Sequence, residues 1–363
     1  MSVKASAEFI AANADHVMIS KDGIRKAAVT ILDRMQSLKY STATWKSHVL
    51  HPQTCNEDTL DWIFLMDLLN FSFWHSTTIK QRFTVTFNGV PYTGYWSLCA
   101  CIQRAIHTDN VPITDPSYWT TASDSEFMHV FRPDDCDKQD GIPLLDDRIR
   151  LLRLCGTVLV SKFNGHFGNL VAKAQQSAQK LVQIVIDEFG AVFDDSVVFK
   201  GRKVHLNKRV QILVADIWAC FNGQSYGTFN DISSISMFAD YRVPQALLYF
   251  GILEYSEPLQ AILRKHEAFH SSPSLRITEA NGSDDALLPY GHPLEVEIRG
   301  CSIWAVEQLV EEIKSLVSRS PTFSMPLDQL NPIIVDFYLW DEAFKNQGAM
   351  EHLPIHRTRS IYY

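Results

Sequence analysis

The chain has 363 residues, 46% hydrophobic and 20% charged, which is the composition of an ordinary soluble globular protein with length enough for a sizeable core. Its net charge of −8 and isoelectric point near 5.9 argue against a surface built to hold nucleic acid, because phosphate contacts supply most of that affinity. Seven cysteines without a C-x-x-C pair suggest neither a disulfide framework nor a zinc site, so a reducing compartment is expected, the cytoplasm or the nucleus.

The first twenty residues hold no continuous apolar run, and no signal peptide is expected. The longest apolar runs, near 62–74 and 210–221, each carry an aspartate and are too short to span a bilayer. Residues 1–40 read as two helices, the second with Ile24, Ala28, Ile31, Leu32 and Met35 on one face. An irregular WKSHVLHP segment follows, holding His48 and His51 without metal-ligand spacing.

Residues 58–74 (DTLDWIFLMDLLNFSFW) are apolar nearly all round, the pattern of a buried helix. Asp67 and Asn70 would share a face with Ile63 and Trp74, either as a buried polar tie or as part of a pocket. Residues 82–96 alternate around Asn88-Gly89, a strong hairpin signal, and SLCACIQRAI returns to helix. Loops with one short helix fill 108–146. Amphipathic helices at 144–161 and 177–189 follow, joined by a turn whose glycines match no phosphate-binding pattern. VVFKGRKVHL reads as a second hairpin. Residues 207–221 place Val210, Leu213, Val214, Ile217, Trp218 and Phe221 on one stripe. Lys208 and Arg209 fall in the first turn, where cations oppose the helix dipole, and a solvated helix end is the simplest account.

Residues 231–253 (DISSISMFADYRVPQALLYFGIL) join a Ser-rich turn, an aromatic beside a carboxylate, a cation and then a helix. Pro244 suits a first helical position, with Ala246, Leu247, Phe250 and Leu253 at the spacing of a buried face. Asp240 therefore stands just ahead of a helix, whose positive end favours the ionised form. Locally it reads most simply as a cap. A fixed anion beside an aromatic ring can also stabilise a cationic transition state.

A helix over 254–270 is expected next, then an exposed loop over 271–292 and a helix from about Ser302 with Glu311 and Glu312 in solvent. NPIIVDFYLWDEAF sets Asp336 one turn from Trp340 and Phe337 one turn from Asp341. Carboxylates among aromatic faces suit a flat, hydrogen-bonding, partly cationic ligand. The last residues, HRTRSIYY, are basic and aromatic. They could close over a phosphate or dock on the acidic body.

The strings WIFLMDLLNFSFW, GYWSLCACIQRA, QQSAQKLVQ, KRVQILVADIW, DISSISMFADYRVPQ, VEIRGCSIWAVE, DFYLWD and HRTRSIYY resemble the queuosine salvage proteins over most of the chain, from about residue 45. The resemblance implies one mainly α domain over 1–363 with small β-hairpins, similar in fold to the helix-hairpin-helix DNA glycosylases; the loop at 271–292 departs from it as an insertion expected to leave the site intact. It implies a hydrolase that cleaves the N-glycosidic bond of queuosine 5′-phosphate, releasing queuine for salvage into tRNA modification. Asp240 of the FADYR string becomes the catalytic carboxylate, with Phe238 and His48 on the base. Asp231, Asp336, Trp340 and Asp341 would join the pocket, and Arg357 and Arg359, or Lys208 and Arg209, would hold the phosphate. The expected partner is this small molecule, bound by a cytoplasmic monomer with no metal, cofactor, membrane or direct nucleic-acid contact. Two rivals stand beside this reading: a non-catalytic carrier of queuine or its nucleotide, and a nucleic-acid-acting helical protein.

Overall fold

Helices carry most of the chain in a computed structural model that describes residues 1–74, 82–271, 288–320, 323 and 325–363. Among the described residues, three two-stranded antiparallel sheets supplement them. Two are the expected hairpins, Val85–Phe87 with Val90–Tyr92 and Ser196–Phe199 with Arg202–His205. Their turns, Asn88-Gly89 and Lys200-Gly201, hold both central residues at positive φ (50° and 79°, 43° and 80°), the backbone that matches strand twist. The third pairs Val17–Ile19 with Leu253–Tyr255 across most of the chain. That pairing takes Leu253 out of the helix expected after Pro244, which ends at Tyr249, and 254–255 out of the helix expected over 254–270, which runs instead over Glu257–Ser271.

Two apolar clusters organise the packing. One is built on the helices Glu57–Leu68, Tyr95–His107, Leu145–Phe163, Ala178–Phe193 and Lys208–Cys220, through residues such as Phe64, Leu98, Leu152, Val185 and Leu213. The other joins the helices Val3–Ala12, Lys21–Ser37, Val243–Tyr249, Pro293–Arg319 and Pro332–Lys345, through Ile10, Ile31, Leu247, Val306 and Leu339. The strand-like segment before Asp240 runs along the seam. Phe238 belongs to the first cluster while Met237 and Ala239 belong to the second, the period-two alternation of an extended backbone.

The buried helix expected over 58–74 stops at Leu68. Three cations from elsewhere in the chain take the carbonyls that follow. Arg209 donates to Leu68, Arg148 to Leu69, Phe71 and Ser72, and Lys208 to Asn70 at 3.1 Å. A helix C-terminus leaves carbonyls unpaired, and buried cations satisfy them while complementing the dipole. Lys208 and Arg209 are thus buried, correcting the solvated helix end inferred from sequence.

The helix placed from Ser302 begins nine residues earlier, at Pro293, and is buried almost all round to Ile313, so no amphipathic stripe marks its first turns. Of the exposed loop over 271–292, residues 272–287 lie outside the described residues. The end of that span is tied down instead: Leu288 is buried, and the Tyr290 hydroxyl donates to Asp195 at 3.0 Å. The terminal segment docks on the body. Ser72 N–H donates to the Tyr363 carbonyl at 3.0 Å, and the Tyr363 hydroxyl donates to Glu295 at 2.8 Å. Arg299 lies 4.0 Å over the Tyr363 ring.

Candidate active site

A cavity of about 430 Å³ opens along the seam, within the ~300–1,000 Å³ range of small-molecule sites. The three acid-and-aromatic segments meet there. Asn70, Phe71 and Phe73 come from the chain after Leu68, Phe238 and Asp240 from the seam strand, and Asp336, Trp340 and Asp341 from the Pro332–Lys345 helix.

Asp240 is buried in the cavity wall, and its Oδ1 accepts from the backbone N–H groups of Arg242 at 2.9 Å and Val243 at 2.8 Å. It stands just ahead of the Val243–Tyr249 helix, as its place in the sequence suggests, two residues before the N-cap position held by Arg242. Its acidity differs from that expectation. Burial raises its pKa above the usual carboxylate value, outweighing the Lys208 cation and the two N–H donors that favour the anion.

Asp336 reaches the same strand. Its Oδ1 accepts from Phe238 N–H at 3.0 Å, tying the segment to the Pro332–Lys345 helix two residues before Asp240. Burial and the neighbouring Asp240 charge push the Asp336 pKa well above the usual range, so the neutral acid is favoured. The asymmetry has a structural cause. Both feel the Lys208 cation, but Asp240 receives two backbone donors, whereas Asp336 receives one donor and the like charge of Asp240. Two carboxyl groups whose environments separate their acidities are the arrangement that acid–base chemistry uses.

The floor adds Lys208, Asp216 and, behind the lining, Asp67. Burial lowers the Lys208 pKa against the pull of Asp240 and Asp67. It raises the Asp216 carboxyl well above its ordinary value and Asp67 to about 7. One ammonium therefore faces several carboxyl groups.

The opposite wall is aromatic. His48 stacks on Trp96 with centroids 3.4 Å apart and planes 15° apart, and Trp340 meets the edges of Tyr95 and Trp96 at 6.3 and 6.0 Å. Burial lowers the His48 pKa and takes His51 down to about 4, favouring neutral imidazoles. His51 Nδ1 lies 2.8 Å from the Trp45 carbonyl, which can only accept, so Nδ1 carries the proton and Nε2 faces the Tyr95 hydroxyl at 3.2 Å. Asp341 accepts from the Tyr40 hydroxyl at 2.9 Å, with Lys345 3.9 Å away.

Of the residues singled out from sequence, Asp240, Phe238, His48, Asp336, Trp340 and Asp341 line this cavity. Asp231 does not. It accepts from Ser177 Oγ at 2.8 Å, Ala178 N–H at 2.6 Å and Gln179 N–H at 3.2 Å, capping the Ala178–Phe193 helix. Arg357 and Arg359 also lie outside the lining, although the same terminal segment sends Tyr363 into it. Arg209 is spent on the carbonyls of Leu68 and Val192. Sequence reasoning missed Trp45, Tyr95, Trp96 and Asp216. Trp45 sits in an irregular stretch with no periodicity, Tyr95 and Trp96 open the Tyr95–His107 helix where the sequence reads as the end of a hairpin, and Asp216 interrupts an apolar helix whose Asp could have been read as a buried polar tie.

The family model described as "Queuosine salvage protein" matches residues 50–278 and 279–363. The chain belongs to the queuosine salvage protein family. Among its relatives is a Schizosaccharomyces pombe protein named "Queuosine 5′-phosphate N-glycosylase/hydrolase", 39% identical with 98% of each chain covered. A Mus musculus relative of the same name is 39% identical over 100% of this chain and 99% of its own. One from Sphaerobacter thermophilus, also so named, is 34% identical over 93% of this chain and 91% of its own. Among the described residues of this family member, no helix is long and apolar enough to cross a membrane.

Proposed function

We propose that the chain hydrolyses the N-glycosidic bond of queuosine 5′-phosphate, releasing queuine for salvage into tRNA modification. The observation that carries the mechanism is the pair of carboxyl groups in the wall of a cavity large enough for a nucleotide: Asp240 at the end of the extended segment, and Asp336 bonded to that segment at Phe238 N–H. Cleavage of an N-glycoside passes through an oxocarbenium-like sugar, which wants an anion near the ring and a positioned water. Asp240 supplies the anion and accepts the proton that water gives up. The departing base must gain a proton or a strong hydrogen bond, and Asp336, favoured as the neutral acid, donates it. Proton exchange between the two carboxyl groups and solvent then restores the starting state.

Queuine is a 7-deazaguanine, so carbon stands where many purine-releasing enzymes protonate nitrogen. Its remaining nitrogens, oxygen and cationic side-arm amine are the available handles. Phe238, His48 and Trp340 offer rings for the flat base, and Asp341 offers a carboxylate for the amine. This reading treats 1–363 as one domain acting as a cytoplasmic monomer, without direct nucleic-acid or membrane contact. It takes the helical architecture as akin to that of helix-hairpin-helix DNA glycosylases, an analogy that carries no weight for the substrate.

Incubating the protein with queuosine 5′-phosphate and following free queuine and ribose 5-phosphate by mass spectrometry tests the proposal. Release of both in equal amounts is expected. Binding of the nucleotide without release would favour the carrier reading.

A further inference from the structure

Two thiols outside the cavity lining sit against each other where its wall meets its floor. Cys220 is the last residue of the Lys208–Cys220 helix, and Lys208, Ile212 and Asp216, which line the cavity, precede it at steps of four on the same face. Cys55 belongs to the stretch between the wall residue His51 and the Glu57–Leu68 helix. Cys55 Sγ lies 3.4 Å from the Cys220 carbonyl, and Cys220 Sγ lies 3.9 Å from the Thr54 carbonyl. The two side chains are hydrogen-bonded to each other.

Their surroundings differ as those of an attacking thiol and its resolving partner do. Cys55 is exposed, and the Lys46 ammonium stands 2.5 Å from its sulfur. A neighbouring cation favours a thiolate, the form that peroxides oxidise. Cys220 is buried, and burial first, then the hydrogen bond to Cys55, pushes its thiol up to about 12 against the Lys46 charge. Cys220 is therefore a neutral thiol, screened from bulk oxidant and in contact with the segment that carries Cys55.

We infer that Cys55 and Cys220 are a peroxide-oxidised pair that closes to a disulfide and clasps the cavity wall to its floor. The Cys55 thiolate attacks the O–O bond of hydrogen peroxide and becomes a sulfenic acid, and the hydroxide released regains the proton the thiol gave up. The Cys220 thiol then attacks the Cys55 sulfur. The S–O bond breaks, and the hydroxyl leaves with the Cys220 proton as water. Two thiols are oxidised by two electrons, and one peroxide is reduced to two waters. A thiol reductant reverses the step. The clasp joins residues 165 apart in the chain, and a cross-link over so long a loop strongly restricts the unfolded state. It also reaches the wall, because His51 and Gln53 of the same stretch bond the Trp45 and Lys46 carbonyls at 2.8 and 3.1 Å. This chemistry is separate from the nucleotide reaction and does not depend on it.

The test treats the folded, full-length protein with a small excess of hydrogen peroxide, alkylates the remaining thiols after unfolding, and maps them by mass spectrometry. The parent protein should lose two hydrogens and two alkylation sites, and should yield a linked Cys55–Cys220 peptide that dithiothreitol releases. Its melting temperature should rise by about 5 °C and return on reduction. Cys220→Ser should form no link and should leave a Cys55 sulfenic acid that dimedone traps, with no rise in melting temperature. If Cys220→Ser melts early because it buries a hydroxyl, Cys220→Ala takes its place with the same expected result. Three results would overturn the inference: Cys55 going on to sulfinic acid in the parent protein while Cys220 stays alkylatable, a link that joins other cysteines, or a Cys55–Cys220 bond that leaves the melting temperature unchanged.

Discussion

The backbone N–H of Phe238 donates to the Asp336 carboxylate at 3.0 Å, fastening the strand that carries Asp240 to a helix almost a hundred residues further along the chain. On the far side of that strand, Arg299 Nε donates to the Ala239 carbonyl at 2.9 Å. Arg299 itself is buried against Asp195 and Glu295, whose charges outweigh burial and hold it firmly cationic. Strand position is therefore set from both sides before any substrate arrives, which is what electrostatic catalysis requires.

Asp336→Asn separates the two duties of that carboxyl group. The amide oxygen can still accept from Phe238 N–H, so the fold should survive, but the acid is gone. The expected result is a kcat lower by about 10²–10⁴, the usual contribution of a positioned acid, with little change in melting temperature. A kcat near that of the parent protein would remove Asp336 from the chemistry.

The identities of Asp240, Asp336, Phe238 and Trp340 as pocket residues were legible because long, unusual strings surround them and because acids interrupt apolar runs there. Lys208 was not. A cation in the first turn of a helix reads as solvated, and only the folded chain shows it reaching the Asn70 carbonyl. For the same reason the end of the Glu57–Leu68 helix was invisible: the cations that cap it lie some 80 to 140 residues away. The two hairpins carried their turns in Asn-Gly and Lys-Gly pairs, while the Val17–Ile19 pairing with Leu253–Tyr255 had no local signal.

The pH dependence of kcat/KM should show both carboxyl groups. Activity needs Asp240 ionised, and its pKa is raised by burial, so the acid limb should fall away at a pH above the ordinary aspartate value of about 3.9. Activity also needs Asp336 protonated, so rate should fall again as pH climbs through its raised pKa. A profile measured from pH 3 to 9 that keeps full activity down to pH 4 would contradict the environment described for Asp240.

Stability should respond to pH through Asp67. Its carboxyl is fully buried, Oδ2 has no hydrogen-bond partner among the described residues, and burial raises its pKa to about 7. In the window between the unfolded value and about 7 the folded state holds a proton that the unfolded chain has released, so stability falls as pH rises. The upper bound on this term is about 4 kcal/mol, reduced by the Lys208 ammonium that titrates beside it. Asp67→Asn should flatten the fall in melting temperature between pH 4 and 7. An unchanged slope would show that Asp67 is not the group responsible.

Asp231→Ala should affect folding and spare catalysis. Its carboxylate caps the Ala178–Phe193 helix through three donors, and loss of such a cap costs about 1–2 kcal/mol. Chemical denaturation should register that loss while kcat and KM stay within about twofold. A hundredfold fall in kcat with unchanged stability would return Asp231 to the site.

Asp240→Asn is the most direct measurement. The amide keeps the shape and an acceptor for the Arg242 and Val243 N–H groups, and it removes the charge. If the carboxylate acts on the transition state, queuosine 5′-phosphate should still bind, and single-turnover release of queuine should slow by at least about 10²–10³. A folded Asp240→Asn protein that releases queuine at the parent rate would contradict the account.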